Sequence, residues 1–289
     1  MSETSTAMLR AAAASGRVRL GGSLVIFVVL LALLAPWLAP NDPNFQDLLN
    51  TLAPPFWTNG GSLQQPLGTD SLGRCTLSRV IYGSRVAMIV AVAASTGAML
   101  LGTVLALVAG YFGGRLDALI TRTVDAWMSF PPVVLSLLLM VGLGTGVVNV
   151  ILAIVLVDWT RFCRVVRSEV MVARRRDYVS AARLLGFSHF QIVTREVLPA
   201  VAPLVITLFS LQMGIAVIVE AILSFVGLSV PASTTAWGMM IADARSYMHQ
   251  AVWGMIAPIV AIFVTVLGLN FLGDGLRQSL DPRLHHERI

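Results

Sequence analysis

The sequence contains no lysine: all 20 of its Lys+Arg positions are arginine. A P-loop places a lysine on the nucleotide phosphates, so the chain is not a P-loop ATPase, and any ATP used alongside it is hydrolysed by another polypeptide. Charge of either sign is scarce, with 12% charged residues against 56% hydrophobic. A soluble domain carries roughly 25% charged residues and needs polar groups to cover its surface, so a water-soluble fold is excluded. A mean hydropathy of +0.81 excludes a disordered tail protein as well. The arginines lie between apolar runs and not in a patch, which argues against nucleic acid as a partner. The four histidines (His189, His249, His285 and His286) form no H-E-x-x-H pair, and there is no C-x-x-C, so nothing supports a zinc site. The adjacent His285 and His286 read as a frayed tail. G-x-S-x-G is missing too, since Gly227-Leu228-Ser229 and Gly186-Phe187-Ser188 both lack the closing glycine. No residue is assigned a catalytic role.

What the chain does have is long apolar runs, and a span needs about 20 such residues. The first run lies between Arg19 and Asp42, with its core at 23–38, and the second between Arg85 and Arg115. The uncharged stretch 126–157 is too long for one span and too short for two, and Gly142-Leu-Gly-Thr-Gly146 interrupts it. It reads as a hairpin of helices at about 117–141 and 147–167. Runs at 197–219 and within 246–273 complete six helices. A further uncharged run, 221–242, is rich in Gly, Pro, Ser and Thr at its centre; its backbone could not be satisfied in lipid, so it reads as a protein-covered loop or re-entrant segment. The first run is read as an uncleaved anchor, closed by Pro36-Trp37, in preference to a cleaved signal peptide.

With the N-terminus inside, sixteen arginines fall on cytoplasmic segments and only four (Arg74, Arg79, Arg85 and Arg245) outside, a strong positive-inside signal that puts both termini in the cytoplasm. Cys75 then lies outside and Cys163 near the inner face, so the two cannot pair. Small residues at Gly97, Gly102, Gly110, Gly142, Gly214 and Gly268 suit close helix packing, although their frequency is ordinary for membrane helices.

Intramembrane carboxylates are functional candidates by default. Asp125 stands three residues after Arg122 and Asp158 three before Arg161, and both read as acids paired with arginine. Glu220 has no cation near it in sequence. It lies 21 residues beyond Pro199, roughly 32 Å along a helix, which places it near the outer interface as a candidate external gate. There it could pair with Arg245, meet the amino end of a peptide, or simply be hydrated.

The cytoplasmic stretch after Arg174-Arg175-Arg176 carries Asp177 as a helix cap, then Tyr178, Ala181, Ala182, Leu185, His189 and Ile192 at helical spacing. Ala181, Ala182 and Gly186 keep one surface low for another protein, and Leu198-Pro199 opens the next span. This is a docking knob. A helix lying on lipid is favoured by the arginines alone but not by the small-residue spacing.

The stretch SAARLLGFSHFQIVTREVLP at 180–199 resembles the E-A-A-(x)3-G-(x)9-I-x-L-P loop of ABC-importer permeases. Ala181, Ala182, Gly186, Leu198 and Pro199 match in register, with Ser180 in place of Glu and Glu196 in place of Ile. LGTDSLGRCTLSRVIYGSRV at 67–86 is similar to the peptide-importer segment L-G-T-D-x-x-G-R-D-x-x-S-R-x-x-Y-G-x-R, with Cys75 in place of Asp. EAILSFVGLSV at 220–230 and NFLGDGLRQSLDPR at 270–283 resemble further segments of the same family, and APPFWTNGGS at 53–62 resembles the outer segment of its dipeptide-importer members. The chain is thereby identified as a member of the dipeptide/oligopeptide (nickel) family of ABC-importer permeases, as the second, C-type membrane subunit.

The resemblance implies an all-α integral membrane protein of type I importer fold in the bacterial inner membrane. Residues 1–85 form the tail, first helix and external segment, and 86–289 a five-helix core whose coupling loop is 177–199. It implies a homologous second permease subunit, two ATP-binding subunits, an extracytoplasmic solute-binding protein and membrane lipid as partners. ATP and Mg reside on the ATPases, with no cofactor on this chain. Ser180, Ala181, Ala182, Gly186, Leu198 and Pro199 are the expected ATPase-coupling positions. The cargo is a dipeptide or oligopeptide, with nickel or glutathione as alternatives. From another class, an ion-coupled secondary transporter using Asp125, Asp158 and Glu220 leaves the docking knob unexplained.

Overall fold

The computed structural model describes residues 15–231 and 233–280. Arg10, His285, His286 and the end of the 270–283 motif lie outside them. Apart from one isolated bridge, Thr69 to Cys75, the described residues form helices and loops only. In chain order the helices are α1 (Gly16–Leu33), α2 (Ala35–Leu38), α3 (Thr76–Phe112), α4 (Gly114–Met128), α5 (Pro132–Leu143), α6 (Val147–Ala173), α7 (Asp177–Leu184), α8 (His189–Ile192), α9 (Leu198–Phe225), α10 (Trp237–Arg245) and α11 (Trp253–Leu280). A π-helical turn, Val193–Val197, joins α8 to α9.

Among the described residues, four stretches are long and apolar enough to cross a membrane: α1, α3, His189–Phe225 and α11. Helix α6 has the length, 27 residues, but also carries Asp158, Arg161, Arg164 and Arg167. The helix expected at about 117–141 is not continuous. It is two helices, α4 and α5, meeting at 88°, and it makes a fifth span only if the bent pair is counted as one. The reason is Pro131-Pro132: neither ring can donate to the preceding turn, and each pushes its predecessor out of the α region. Pro199 lies in the first turn of α9, as expected, and the wide turn Val193–Val197 before it joins α9 to α8, so that the span runs on from His189.

The centre of the fold is the packing of α3 on α6. Of the six glycines expected at helix contacts, Gly97 faces Val155, Gly110 faces Val170, and a Cβ on Gly102 would come within 2.4 Å of the Trp159 carbonyl oxygen. Gly268 meets Leu24 of α1, and Gly214 lies beside Asn270. Gly142, by contrast, meets nothing within 4 Å and has no packing role among the described residues. The 221–242 run does not form one helix: α9 ends at Phe225, Gly227 adopts φ +81°, and α10 begins only at Trp237. Gly238 seats α10 so tightly on α9 that a Cβ there would lie 2.0 Å from the Ala221 carbonyl oxygen.

Candidate functional site

At the C-terminal end of α6, the chain turns at Arg174 and enters α7. Asp177 is the first residue of that helix; Arg176 occupies the cap position and no side chain caps it. The helical spacing through Ile192 is interrupted at Gly186 (φ +81°), where glycine lets the chain turn sharply. A new turn then starts at Ser188, whose hydroxyl accepts from the Gln191 N–H while Gln191 Oε1 accepts from the Ser188 N–H. This capping box is a start signal that spacing at apolar positions alone passes over. Val179, Ala182, Ile192 and Val197 are buried in one cluster with Val166, Val170 and Ala173 of α6. The loop is therefore clamped to the ends of α6 and α9. Its outer side presents Leu184 (90% exposed), Leu185 (75%) and Phe190 (77%). Large apolar side chains displayed on a rigid base are what a protein partner covers. Of the sequence-selected positions, Ser180, Ala181 and Gly186 are exposed, Ala182 is buried, and Leu198 and Pro199 lie in the first turn of α9.

Among the acids, Asp125 pairs with Arg164 of α6 at 2.5 Å and not with Arg122. Asp158 is buried and accepts from Gln212 Nε2 at 2.5 Å in place of an arginine. Asp117, which sequence reading passed over, receives Arg167 from two nitrogens. These contacts tie α4 and α9 to α6 and draw on residues some 40 to 55 positions apart, a separation no local pattern exposes.

At the other end of α3, the LGTDSLGR segment folds around Asp70. Its Oδ1 accepts from the backbone N–H groups of Leu72 and Arg74, both at 2.9 Å. Its Oδ2 accepts from Arg74 Nε at 2.7 Å and Arg79 Nη1 at 2.6 Å. Asp243 of α10 closes the cluster at 3.2 Å from Arg74. Arg79 is only 2% exposed. The motif flagged three of these four residues as a string; Asp243 carried no sequence signal.

Glu220 is 1% exposed. It makes no contact with Arg245 among the described hydrogen bonds and ion pairs; its Oε1 accepts from Ser224 Oγ at 2.5 Å and Ser229 Oγ at 3.1 Å. The Ser229 carbonyl in turn accepts from the Gly146 N–H at 2.7 Å. One carboxylate thus fastens the 226–236 loop to α9 and, through Ser229, to the turn between α5 and α6. Cys75 and Cys163 are both buried and unpaired.

Residues 102–286 match the model of the binding-protein-dependent transport system inner membrane component, and residues 18–55 that of the N-terminal TM domain of oligopeptide transport permease C. The chain belongs to this family of ABC-importer permeases. Among its relatives, the permease is 39% identical to the di/tripeptide transport system permease protein DppC of Pseudomonas aeruginosa (strain UCBPP-PA14), over 92% of this chain and 88% of that one. It is 39% identical to the nickel transport system permease protein NikC of Escherichia coli (strain K12), over 92% and 94%. To the glutathione transport system permease protein GsiD of Shigella dysenteriae serotype 1 it is 37% identical, over 90% and 84%. The permease is an inner-membrane, multi-pass protein, as the resemblance in its motifs implied.

Proposed function

We propose that the permease is the C-type membrane subunit of an ATP-driven importer of di- and oligopeptides. In this reading it crosses the membrane six times with both termini in the cytoplasm. With a homologous permease it forms the translocation path, two ATP-binding subunits drive it, and an extracytoplasmic solute-binding protein delivers the cargo. It catalyses no reaction; ATP and Mg stay on the ATPases. The observation that carries the reading is the clamped 177–199 loop with Leu184, Leu185 and Phe190 on its outer side. A loop held this firmly to α6 and α9 transmits a push from an ATPase into the helices. Nickel and glutathione importers are relatives at similar identity; the resemblance of 53–62 to dipeptide-importer members favours peptide. The test is uptake by the complete transporter in vesicles, loaded with its own binding protein. Vanadate-sensitive accumulation of a labelled dipeptide is expected, in excess of nickel or glutathione. Uptake that persists without ATP would overturn the importer reading in favour of an ion-coupled carrier.

The outer gate, in the same reading, is the loop that Glu220 holds. Its buried carboxylate acts by anchoring Ser224 and Ser229 and not by touching cargo. Glu220→Ala removes both bonds and is expected to lower dipeptide transport about tenfold or more, since two serine hydroxyls lose their shared acceptor at about 1 kcal/mol each. Glu220→Gln retains an acceptor oxygen for both serines and should keep most transport. Equal losses in the two variants, with assembly intact, would show that the charge and not the anchoring matters.

A further inference from the structure

Behind the docking face, the cytoplasmic loop and the ends of α3 and α6 enclose an open cup of about 660 Å³, lined by Tyr111, Arg174, Arg175, Ser180, Arg183 and His189. Three arginines line it together with Ser180. Arg174 Nη1 donates to the Gly110 and Tyr111 carbonyls at 2.9 and 3.2 Å, which leaves the remaining guanidinium nitrogen donors for another partner. Arg183 stacks over the Tyr111 ring, its Cζ 5.6 Å from the centroid, and is held in place by it. His189 Nδ1 meets the Tyr111 hydroxyl at 2.9 Å; with the phenol donating, Nε2 carries the imidazole proton. The ion pairs among the described residues use Arg74, Arg79, Arg164 and Arg167, none of them in the cup. Where the resembling family carries a glutamate, this chain has Ser180, and no carboxylate lines the cup among the described residues; Asp117 acts on Arg174 electrostatically but is paired with Arg167.

We propose that the cup is a phosphate-binding site, filled by the headgroup phosphate of an anionic inner-leaflet lipid or by inorganic phosphate, which braces the 177–192 loop against α3 and α6. Planar guanidiniums suit the paired oxygens of a phosphate. Arg174 and Arg175 follow α6 directly, seven and eight residues past Arg167, roughly 10–12 Å along the helix axis, which is within reach of the headgroup layer for long arginine side chains. The lipid source rests on the cytoplasmic orientation of this loop proposed above. The bound group touches α3, α6, α7 and α8 together, so its occupancy sets how stiffly the loop couples to the bundle.

The test reads binding and not transport, so it stands apart from the fate of the importer reading. Amide hydrogen exchange across 177–192 is followed in the full-length chain in phosphatidylcholine nanodiscs, with and without phosphatidylglycerol, and separately with inorganic phosphate. At ten times its Kd a bound group should slow opening-limited exchange about tenfold. The effect should vanish in the Arg175→Gln/Arg183→Gln double variant and in Ser180→Glu, which supplies an internal carboxylate. Arg176→Gln combined with Arg195→Gln, which removes the same two charges outside the cup, should retain it. A response to both additives assigns the site to phosphate as such; a response to phosphatidylglycerol alone assigns it to lipid. Equal slowing in all variants would mean diffuse attraction to a basic loop and would overturn the site. No slowing in the wild type also overturns it. If the double variant then fails to assemble with the ATP-binding subunits, the cup holds a carboxylate of that partner instead.

Discussion

Asp70→Ala is expected to destabilise the permease by about 3–5 kcal/mol, the usual result of removing one partner from a buried charge cluster. Two guanidiniums share its Oδ2, and Arg79 is almost fully buried. Arg79 Nε already lacks a hydrogen-bond partner among the described residues, so that side chain depends on Asp70 and on a longer 3.6 Å contact with Asp243 for its compensation. The same substitution releases two backbone N–H groups from Oδ1. Asp70→Asn keeps an acceptor for those amides but not the charge, and should fall between wild type and alanine. Graded detergent denaturation of the purified protein, followed by tryptophan fluorescence, measures both. A loss under about 1 kcal/mol for Asp70→Ala, the scale of an exposed pair, would mean that water reaches the cluster and replaces the carboxylate.

Leu184→Asp combined with Leu185→Asp is expected to leave the chain inserted and folded but to weaken assembly with the ATP-binding subunits by about 100-fold or more. Burying a leucine contributes about 1.5–3 kcal/mol, two are removed, and the incoming carboxylates would have to be desolvated. The fold should be indifferent, because both side chains point away from the cluster formed by Val179, Ala182 and Ile192. Co-purification with the ATPases reports assembly, and binding-protein-stimulated ATP hydrolysis reports coupling. Normal stimulation in the double variant would place the docking surface elsewhere on the chain.

Composition and run length determined that this is a helical membrane protein, since nothing else hides so much apolar surface with so few charges. The motifs at 67–86, 180–199 and 220–230 determined its family. These are local properties, and local properties survive in a string of letters. Tertiary structure decided the rest. The bend between α4 and α5 follows from Pro131-Pro132, a signal present in the sequence but outweighed by the uniform hydropathy around it. The partners of Asp117, Asp125 and Asp158 come from α6 and α9, chosen by how the helices cross and not by spacing along one helix. Glu220 looked free because its acceptor bonds come from serines, residues that carry no charge to search for; burial and the fold of the 226–236 loop gave it its anchoring contacts. The arginines of the cup come from the turn after α6 (Arg174 and Arg175) and from α7 (Arg183), and it is the docking of the loop against the end of α3 that sets Tyr111 beside them. Helix-forming tendency acts between neighbours in sequence, whereas charge pairing and burial act between neighbours in space, and the second set exists only after the bundle has closed.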